Sequence, residues 1–376
     1  MAERTASAVR PAPLPGREAQ HTVLTQPRPT VRASVVIVSY NSRLYLPECL
    51  RSLQQSEARD LEIILVDNGS SDGSASTVEQ AFPAVAVIRS ETNLGFGHGG
   101  NLGAAQARGR YLAFLNPDTV VEPGWLDALI AALESDPGAG LATSKILLLN
   151  DPQHINTCGN DVHLTGLTLC RGMGLESRAL AEPREVGAVS GAAFAIRQDL
   201  FAALGGFDET FFLYMEDTDL SWRARLAGYR CLYAPSSLVH HDYALRFGPQ
   251  KTFYQERNRY LLFLKSLRWR SLIVLLPALL LAETVTWGFV WLQEPRRWAN
   301  KVRAYRWIVD HWSQVMESRR RTQALRRVND RELLALSTYR LAFQQSVGGL
   351  LPRLASLVFD PLFFLLHRLA LAVIRW

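Results

Sequence analysis

Short apolar runs alternate with helix-like segments from Ala33 to Glu134, and this alternation limits the fold more than any other feature. The run Ser34–Ser39 (SVVIVS) is rich in β-branched residues, which is typical of a strand buried on both faces. Further strands are predicted at Leu61–Val66, Val85–Ile88 and Tyr111–Leu115, and helices at Leu44–Gln54, Gly103–Ala107 and Trp125–Glu134. This order, with short connections, predicts an α/β fold with a mostly parallel sheet flanked by helices.

Polar residues follow the predicted strands, where parallel sheets bind their ligands. Asp67 begins the segment DNGSSDG, and its carboxylate is placed to accept hydrogen bonds from a base or a ribose. An Asx-rich turn without a ligand explains the same segment equally well. Asp118, in Asn116-Pro117-Asp118, is placed to bind a divalent cation that bridges two phosphates, although a Pro-Asp turn is the simpler alternative.

The glycine cluster Gly95–Gly100 (GFGHGG) matches the G-x-G-x-x-G pattern of dinucleotide-binding proteins. Two features argue against that function. The acid that follows, Asp118, lies in a turn behind Asn116-Pro117, and two strands with polar ends precede the cluster, whereas a dinucleotide-binding domain usually opens with it. An NAD-dependent oxidoreductase therefore stays a minor alternative.

Three acids stand beside an aromatic segment at Glu216, Asp217 and Asp219. Burying them is costly unless they are hydrogen-bonded, paired or metal-bound, and a carboxylate against an apolar wall has the raised pKa that suits a general base. Helix capping is the alternative explanation. Further along, His240 or His241 is a candidate metal ligand, and Arg257 on a predicted helix is a candidate phosphate contact.

Composition excludes several classes of protein. Hydrophobic residues make up 48% and charged residues 20%, which excludes a collagen, a coiled coil and a wholly disordered chain. The four cysteines include no C-x-x-C pair, so we expect neither a disulfide framework nor a thiolate zinc site. The net charge of +6 is concentrated between Arg296 and Arg331, where eleven basic residues face three acids, so we expect no nucleic-acid partner.

The two ends of the chain differ from its centre. Residues 1–32 are rich in proline without apolar periodicity, which predicts a disordered tail and no secretory signal. Ser271–Leu292 is long enough to span a bilayer, but Glu283 interrupts it and a crossing would place the basic segment outside. We therefore expect in-plane or re-entrant helices on anionic headgroups, with a spanning helix or a soluble helical domain as alternatives.

Eight motifs occur in a characteristic order: VVIVSYN (35–41), LVDNGSSDGS (65–74), NLGFGHGGNLG (93–103), LNPDT (115–119), GAAFAIR (191–197), GGFDE (205–209), FFLYMEDTDLSWR (211–223), and His240 with RN (257–258). With them, the chain from about Ser34 to Leu264 resembles an inverting family 2 glycosyltransferase with the GT-A fold, of the bacterial rhamnosyltransferase-like branch. The resemblance implies transfer of a sugar, rhamnose-like or another hexose, from a nucleoside diphosphate to a cell-envelope glycan or lipid-linked acceptor.

The resemblance also implies roles for individual residues. Tyr40 would contact the base and Asp67 the base or ribose, while Asn93 and Asn101 would line the nucleotide pocket. Asp118 and His240 would bind the metal, and Arg257 would contact a phosphate. Asp217, with Glu216 beside it, would be the general base. The implied cofactor is Mg²⁺ or Mn²⁺, and the implied donor is linked to UDP or dTDP. Asn116 stands where the family has the first acid of a D-x-D motif, so a nucleotide-sugar-binding protein without turnover is the alternative.

The expected organisation has three parts: a disordered tail at 1–32, a GT-A domain at 33–265 and a helical, apolar and basic region at 266–376. We expect the protein at the cytoplasmic face of the cell membrane. The stretch 145–190, where an acceptor pocket is expected, carries no pattern that identifies the acceptor.

Overall fold

The computed structural model describes residues 31–56, 60–243, 250–293, 295–342 and 350–376. Its strands are β1 (Ala33–Ser39), β2 (Leu61–Asn68), β3 (Ala86–Ser90), β4 (Tyr111–Leu115), β5 (Thr119–Val121), β6 (Ala139–Leu148), β7 (Asp151–Thr157), β8 (Asn160–Val162), β9 (Thr168–Cys170), β10 (Arg184–Val186), β11 (Ala193–Arg197) and β12 (Arg230–His241). Its α-helices are α1 (Leu46–Gln55), α2 (Ser74–Ala81), α3 (Phe96–Gln106), α4 (Trp125–Glu134), α5 (Gln198–Ala203), α6 (Glu216–Leu226), α7 (Lys251–Ser266), α8 (Trp269–Gln293), α9 (Trp298–Asp310), α10 (Trp312–Ala324), α11 (Asp330–Leu334) and α12 (Leu350–Val373). The tail predicted at 1–32 lies, apart from its last two residues, outside the described residues.

Ten strands form one mixed sheet in the order β10-β12-β6-β11-β4-β1-β2-β3, with β5 on β12 and β7 on β6. The half built from β1 to β4 is parallel, as predicted from the sequence. The other half is mixed, because β11 runs antiparallel between β4 and β6. Strands β8 and β9 form a separate hairpin. The α/β fold with flanking helices is therefore confirmed.

Both faces of the sheet are covered by helices, as the continuous apolar run of β1 predicts. Val35 and Ile37 belong to one buried cluster, which includes apolar residues of α1 and α4. Val36 belongs to a second cluster on the opposite face, which includes residues of α5 and α6. Alternate side chains of a strand point to opposite faces, so both faces of β1 require an apolar neighbour.

Apart from Gly95, which precedes it, the glycine cluster lies inside α3, which begins at Phe96 rather than at the predicted Gly103. A Cβ atom at Gly103 would lie 2.4 Å from Cγ1 of Val36, and one at Gly100 would lie 2.7 Å from the ring of Phe207. The glycines therefore let the helix pack closely on β1 and on Phe207. Glycine disfavours helices locally, so packing against the sheet decides the helical state here.

The carboxyl-terminal helices α8 to α12 pack on the preceding α/β domain through a third apolar cluster. It joins Trp222 of α6 and Phe263 of α7 to Ala278 of α8, Ile308 of α9 and Phe363 of α12. At the ends of α8 and α12, the indole Nε1 of Trp376 donates to Oγ of Ser271 at 2.8 Å.

Glu283, the acid that interrupts the apolar helix α8, is paired in the structure. It accepts hydrogen bonds from the side chains of Arg259, Tyr260 and Tyr305, and Nζ of Lys301 lies 3.0 Å from Oε2. Arg259 and Lys301 are themselves almost fully buried. These contacts dock α8 on α7 and α9 and compensate the charge that the sequence leaves unexplained.

Candidate active site

The carboxyl ends of β1, β2 and β4 lie side by side at one edge of the sheet. Ser39 of β1 stands opposite Asp67 of β2. Beyond β4, the amide of Asn116 donates to the carbonyl of Ala192 at 3.0 Å, which brings the start of β11 to the same edge. This arrangement gathers the residues of four of the sequence motifs, as expected for a parallel sheet.

Asp67 and Ser39, at the ends of β2 and β1, each have a polar atom that is buried without a partner among the described residues. Asp67 is 4% exposed, and its Oδ1 accepts no hydrogen bond from any described residue. The neighbouring hydroxyl of Ser39 is also buried and has no hydrogen-bond partner among the described residues. Tyr40, the next residue, has about half of its surface exposed at 51%. Buried polar atoms in native proteins are nearly always hydrogen-bonded, so these groups point to a ligand with donor groups beside an aromatic ring.

Asn93 and Asn101 have different positions. Asn68 donates from Nδ2 to Oδ1 of Asn93 at 3.1 Å, which holds Asn93 next to the Asp67 strand end. Asn101, in contrast, is engaged with the backbone of Phe207: it accepts from the amide at 2.8 Å and donates to the carbonyl at 3.0 Å. Its amide group holds α3 against the segment before α6, and a position in a nucleotide pocket stays a prediction for Asn101.

The backbone just before α6 is strained. Phe212, Tyr214 and Met215 have φ angles of 60°, 67° and 68°, in the left-handed region that side chains other than glycine disfavour. Asn258 holds this loop by donating from Nδ2 to the carbonyls of residues 211, 213 and 214 at 2.7–3.0 Å. This loop leads directly into α6, whose first two residues are Glu216 and Asp217.

Arg257 supports the same loop. Its Nη2 donates to the carbonyls of Thr210 and Phe211 at 2.7 and 2.8 Å, and its guanidinium packs 4.6 Å from the ring centre of Trp307. Arg257 is 4% exposed. One edge of the guanidinium is thus used by backbone carbonyls inside the protein, and a phosphate contact by Arg257 stays a prediction.

Asp217 is held by four hydrogen bonds. Its Oδ2 accepts from the amide of Gly191 at 2.7 Å and from Nδ2 of Asn160 at 3.2 Å. Its Oδ1 accepts from the amide and the hydroxyl of Thr218 at 2.6 and 3.2 Å. Each of these donors stabilises the ionised form of the carboxylate, although burial raises its pKa above the ordinary value.

The adjacent Glu216 has the opposite environment. Burial and the neighbouring Asp217 charge raise the pKa of Glu216 to about 8, and its Oε2 is buried without a partner in the described part of the chain. The donors that converge on Asp217 favour its ionised form, whereas Glu216 lacks such donors and keeps its proton to higher pH than an ordinary glutamate. The third acid, Asp219, is fully buried and paired with Arg223 and Lys265 at 2.7 and 2.6 Å.

The imidazole beside Asp118 belongs to His241. Its Nε2 lies 3.3 Å from Oδ1 of Asp118, outside hydrogen-bonding geometry, and its Nδ1 contacts Oδ1 of Asn156 at 2.9 Å. His240 points elsewhere and pairs with Glu122 at 2.7 Å. The sequence left His240 and His241 open as metal ligands, and His241 is the one of the two that lies beside Asp118. Successive residues of β12 face opposite sides of the sheet, so one member of the pair reaches Asp118.

A divalent cation fits these residues. The Asn156 oxygen can only accept, so the tautomer of His241 that donates to it from Nδ1 has a free lone pair on Nε2, the atom nearest Asp118. Two electron-rich atoms this close are stabilised by a cation between them. No group of three or more His, Cys, Asp or Glu side chains within the described ranges is arranged to hold a metal. One carboxylate and one imidazole leave most coordination positions to substrate phosphates and water, as is usual for Mg²⁺.

A short chain of contacts joins the Asp118 site to the Asp217 site. Asp217 accepts from the amide of Gly191, and the next residue, Ala192, accepts from the amide of Asn116, two positions before Asp118. The predicted cation ligand and the predicted proton acceptor therefore flank one edge of the sheet. A reacting group held there has a carboxylate on one side and a cation site on the other.

Sequence reasoning missed Asn160 and Asn156, which support Asp217 and His241. Both lie in the stretch 145–190, where no local pattern marks them. Gly191, the amide donor to Asp217, begins the motif GAAFAIR. The sequence therefore marks this residue, but it does not indicate that its amide donates to Asp217.

The chain matches a known sequence family. Residues 34–203 match Glycosyl transferase family 2. An N-acetylglucosaminyl-diphospho-decaprenol L-rhamnosyltransferase from Mycobacterium tuberculosis is 32% identical over 243 residues, which cover 57% of this chain and 77% of the relative. A pre-mycofactocin glycosyltransferase from the same organism is 31% identical over 229 residues, covering 59% of this chain and 45% of the relative.

Solved structures share the fold. S. aureus TarS 1-349 in complex with UDP-GlcNAc superposes with a TM-score of 0.52 at 18% identity, covering 91% of this chain and 89% of that one. GalNAc-T7 with UDP, GalNAc and Mn²⁺ gives a TM-score of 0.52 at 22% identity, covering 62% of this chain and 47% of that one. With the motifs and the rhamnosyltransferase relative, these likenesses confirm the GT-A fold and rule out the dinucleotide alternative. The chain belongs to glycosyl transferase family 2 and is an inverting glycosyltransferase.

Proposed function

We propose that this enzyme transfers a sugar, rhamnose-like or another hexose, from a UDP- or dTDP-linked donor to a lipid-linked or cell-envelope glycan acceptor. The observation that carries the proposal is the set of buried polar atoms without partners among the described residues at one edge of the sheet: Ser39 Oγ, Asp67 Oδ1, Asp118 Oδ1 and Glu216 Oε2. Unpaired buried polar atoms are costly, so a polar ligand that satisfies them is expected there.

The nucleotide would bind at the ends of β1 and β2. The exposed ring of Tyr40 offers a stacking surface to the base, and the unpaired oxygen of Asp67 accepts from a base N–H or a ribose hydroxyl. Asn93 lines the same pocket from the position in which Asn68 holds it. The diphosphate would then extend toward Asp118.

The chemistry is a single displacement at the anomeric carbon. An acceptor hydroxyl attacks that carbon from the face opposite the leaving group, a new C–O bond forms, and the bond to the diphosphate oxygen breaks. Asp217 takes the hydroxyl proton, and the nucleoside diphosphate departs with the electron pair. The ionised state of Asp217, held by its four donors, makes it the proton acceptor, and help of this kind contributes about 10²–10⁴-fold.

Asp118 and His241 would hold Mg²⁺ or Mn²⁺, which neutralises the charge of the leaving diphosphate when it is bound. The structural neighbour GalNAc-T7 was solved with UDP and Mn²⁺, which supports a divalent ion of this kind. Asp118 contributes the charge, and His241 contributes a neutral nitrogen ligand whose orientation Asn156 sets.

The C-terminal region, residues 266–376, would attach the enzyme to a membrane. Two helices are long and apolar enough to cross a bilayer, Trp269–Leu292 and Leu354–Val373, with mean hydropathies of 1.9 and 1.6. Large apolar side chains stay exposed along them, among them Ile273 at 70%, Leu280 at 60% and Leu357 at 73%. An apolar surface of this kind is typical of a membrane-contacting face.

Glu283 pairs with Arg259 of α7 and Lys301 of α9. If α8 crossed the bilayer, these charged side chains would have to enter it as well, so the pairing favours helices that lie in the interface. Some residues of the basic segment make contacts inside the protein: Lys301 is fully buried, and Arg319 donates to the carbonyls of Leu264 and Leu267. Exposed arginines of the segment, such as Arg303 and Arg320, are left to contact anionic headgroups at the cytoplasmic face.

A protein that binds nucleotide sugars without turnover is the second candidate, because Asn116 replaces an acid near Asp118. The test is a panel of UDP- and dTDP-linked sugars, incubated with the full chain in Mn²⁺, in Mg²⁺ and in EDTA, with release of nucleoside diphosphate as the readout. We expect release from at least one donor, dependent on the cation and lost in Asp217→Asn. Tight donor binding with no release in either cation would favour the second candidate, and NMR of the transferred anomer reports inversion.

A further inference from the structure

One side chain of α7, Asn258, holds the loop that leads into the two acids of α6. Its Nδ2 donates to the carbonyls of Phe211, Leu213 and Tyr214 at 3.0, 2.9 and 2.7 Å. Asn258 is fully buried, so water does not compete for these bonds. A side-chain amide has two N–H groups, and here both are used by backbone that lies 44 to 47 residues away in the chain.

The neighbouring Arg257 fixes the direction in which the amide of Asn258 points. Nε of Arg257 donates to Oδ1 of Asn258 at 2.9 Å. Because a guanidinium can only donate, the oxygen of the Asn258 amide faces Arg257 and the nitrogen faces the carbonyls of the loop. The same guanidinium donates from Nη2 to the carbonyl of Phe211 at 2.8 Å, so both side chains hold one loop.

The loop needs partners outside itself because its own backbone is in an unfavourable conformation. Phe212, Tyr214 and Met215 all have positive φ angles, which cost free energy in residues other than glycine. From α3, the amide of Phe96 donates to the carbonyl of Phe212 at 2.8 Å. The four carbonyls of residues 211–214 therefore all accept hydrogen bonds from outside the loop.

Helix α7 is itself fixed against α6, so Asn258 holds the loop at a set place relative to the acids. Nζ of Lys265 lies 2.6 Å from Oδ1 of Asp219, and both groups are almost fully buried. The rings of Phe263 and Trp222 stack with their centres 5.6 Å apart. These contacts join the second half of α7 to α6, while Asn258, in the first half of α7, holds the loop before α6.

The functional residue closest to this loop is Asp217. It lies three residues after Tyr214, the last residue whose carbonyl Asn258 holds. Its Oδ2 extends from α6 to the amide of Gly191 at 2.7 Å and to Nδ2 of Asn160 at 3.2 Å. Hydrogen bonds weaken when their distances and angles depart from the preferred geometry. A shift of the start of α6 would therefore separate the carboxylate from both donors.

We propose that Asn258 is a positioning residue: by holding the loop before α6, it places the Asp217 carboxylate where it accepts the proton of the acceptor hydroxyl. In this role Asn258 acts through Asp217 rather than on a substrate. The inference rests on the proposed function and adds a residue that sets the geometry of its proton transfer. A misplacement of about 1 Å at a reacting group can lower a rate by about 10²-fold, so the effect is measurable.

The first test follows Asp217 without turnover, by hydrogen–deuterium exchange with fragmentation that resolves the amide of Gly191. Asn258→Ala removes the donor group. Asn258→Asp keeps the volume, but Arg257 keeps the new carboxylate ionised and unable to donate. In both variants the Gly191 amide should exchange about tenfold faster or more, because its acceptor Asp217 is displaced. A side chain that only stabilises the loop would change exchange at residues 211–215 and leave Gly191 as in the wild type.

The second test is kinetic, with Gln323→Ala as the matched control for both measurements. Nε2 of Gln323 holds the carbonyls of Lys265 and Ser266 at the far end of α7, at 2.7 and 2.9 Å. This variant should leave the exchange at Gly191 and kcat unchanged. Both Asn258 variants should lower kcat by about 10- to 100-fold, with a donor KM within about threefold of the wild type, because proton transfer and not donor binding is affected. Thermal unfolding verifies that each variant is folded at the assay temperature.

Unchanged exchange at Gly191 in both Asn258 variants, or an equal rise in Gln323→Ala, would overturn the positioning role. A wild-type kcat in the Asn258 variants would overturn it as well. Where one of the two variants does not fold, the other carries both measurements. If the wild-type enzyme released no nucleoside diphosphate from any donor, the proposed function would fail, and the exchange at Gly191 would still show whether Asn258 places Asp217.

Discussion

Nε2 of His241 lies 3.3 Å from Oδ1 of Asp118, where the end of β12 pairs with β5. The register places His241 opposite Thr119, the residue after Asp118, while the side chain of His240 turns to Glu122. The two adjacent histidines thus contact different acids, so a substitution of one leaves the contact of the other in place.

The first prediction concerns the cation. His241→Ala should raise the Mn²⁺ concentration needed for half-maximal donor binding by about tenfold or more, because a nitrogen ligand is lost. Asp118→Asn should do the same through loss of the charged ligand. His240→Ala is the matched control and should bind Mn²⁺ and donor like the wild type, since it removes one partly exposed contact. Calorimetric titration with Mn²⁺ and UDP measures all three, and equal losses in both histidine variants would contradict the assignment.

The second prediction separates the two adjacent acids. Asp217→Asn should lower kcat by about 10²–10⁴-fold, because the amide cannot accept the proton of the acceptor hydroxyl. Glu216→Gln should lower kcat by about tenfold or less, because Glu216 already carries a proton at neutral pH and glutamine resembles that state. Steady-state kinetics with the best donor of the panel gives both values. A larger loss in Glu216→Gln than in Asp217→Asn would exchange the two roles.

The third prediction follows from the pKa of Glu216, about 8 in the folded protein against an ordinary value of 4.5. Between these values the folded state binds more protons than the unfolded state, so the free energy of unfolding falls as the pH rises. In Glu216→Gln the fall between pH 5 and pH 8 should be smaller by roughly 1–3 kcal/mol. Urea unfolding at several pH values measures this slope, and parallel slopes for both proteins would refute the raised pKa.

The fourth prediction concerns the glycines of α3. Gly103→Ala should destabilise the fold by about 1–3 kcal/mol, because the new methyl group meets Val36 at 2.4 Å. Gly288→Ala, in the interior of α8, meets nothing within 4 Å and should be neutral or stabilising by up to about 1 kcal/mol. Thermal unfolding compares them. A neutral Gly103→Ala would show that α3 can move away from β1 at little cost.

The fifth prediction concerns membrane attachment. The pair Leu280→Asp and Leu357→Asp should reduce co-flotation with anionic liposomes without lowering the melting temperature, because both side chains are already exposed, at 60% and 73%. Leu44→Asp is the control: this leucine is 90% exposed but lies between β1 and α1, away from α8 and α12 in the chain. If the control reduced flotation as much as the pair, the apolar face of α8 and α12 would not be the attachment surface.

Local patterns in the sequence were sufficient for the fold class and for several element boundaries. Tyr111–Leu115 and Trp125–Glu134 were predicted with the bounds that the structure has, because apolar periodicity depends on near neighbours in the chain. The ordered motifs were likewise sufficient for the family, since each motif is a short segment at a strand end or a helix start.

Tertiary structure alone decided what most polar side chains do. Asn101 and Arg257 belong to recognisable motifs, yet both are used to hold backbone at residues far along the chain, Phe207 and Thr210. The choice between His240 and His241 depends on which face of a strand each occupies. The raised pKa of Glu216 depends on its burial and on the neighbouring charge of Asp217. Burial and long-range hydrogen bonding set these properties, and neither is encoded in the spacing of nearby residues.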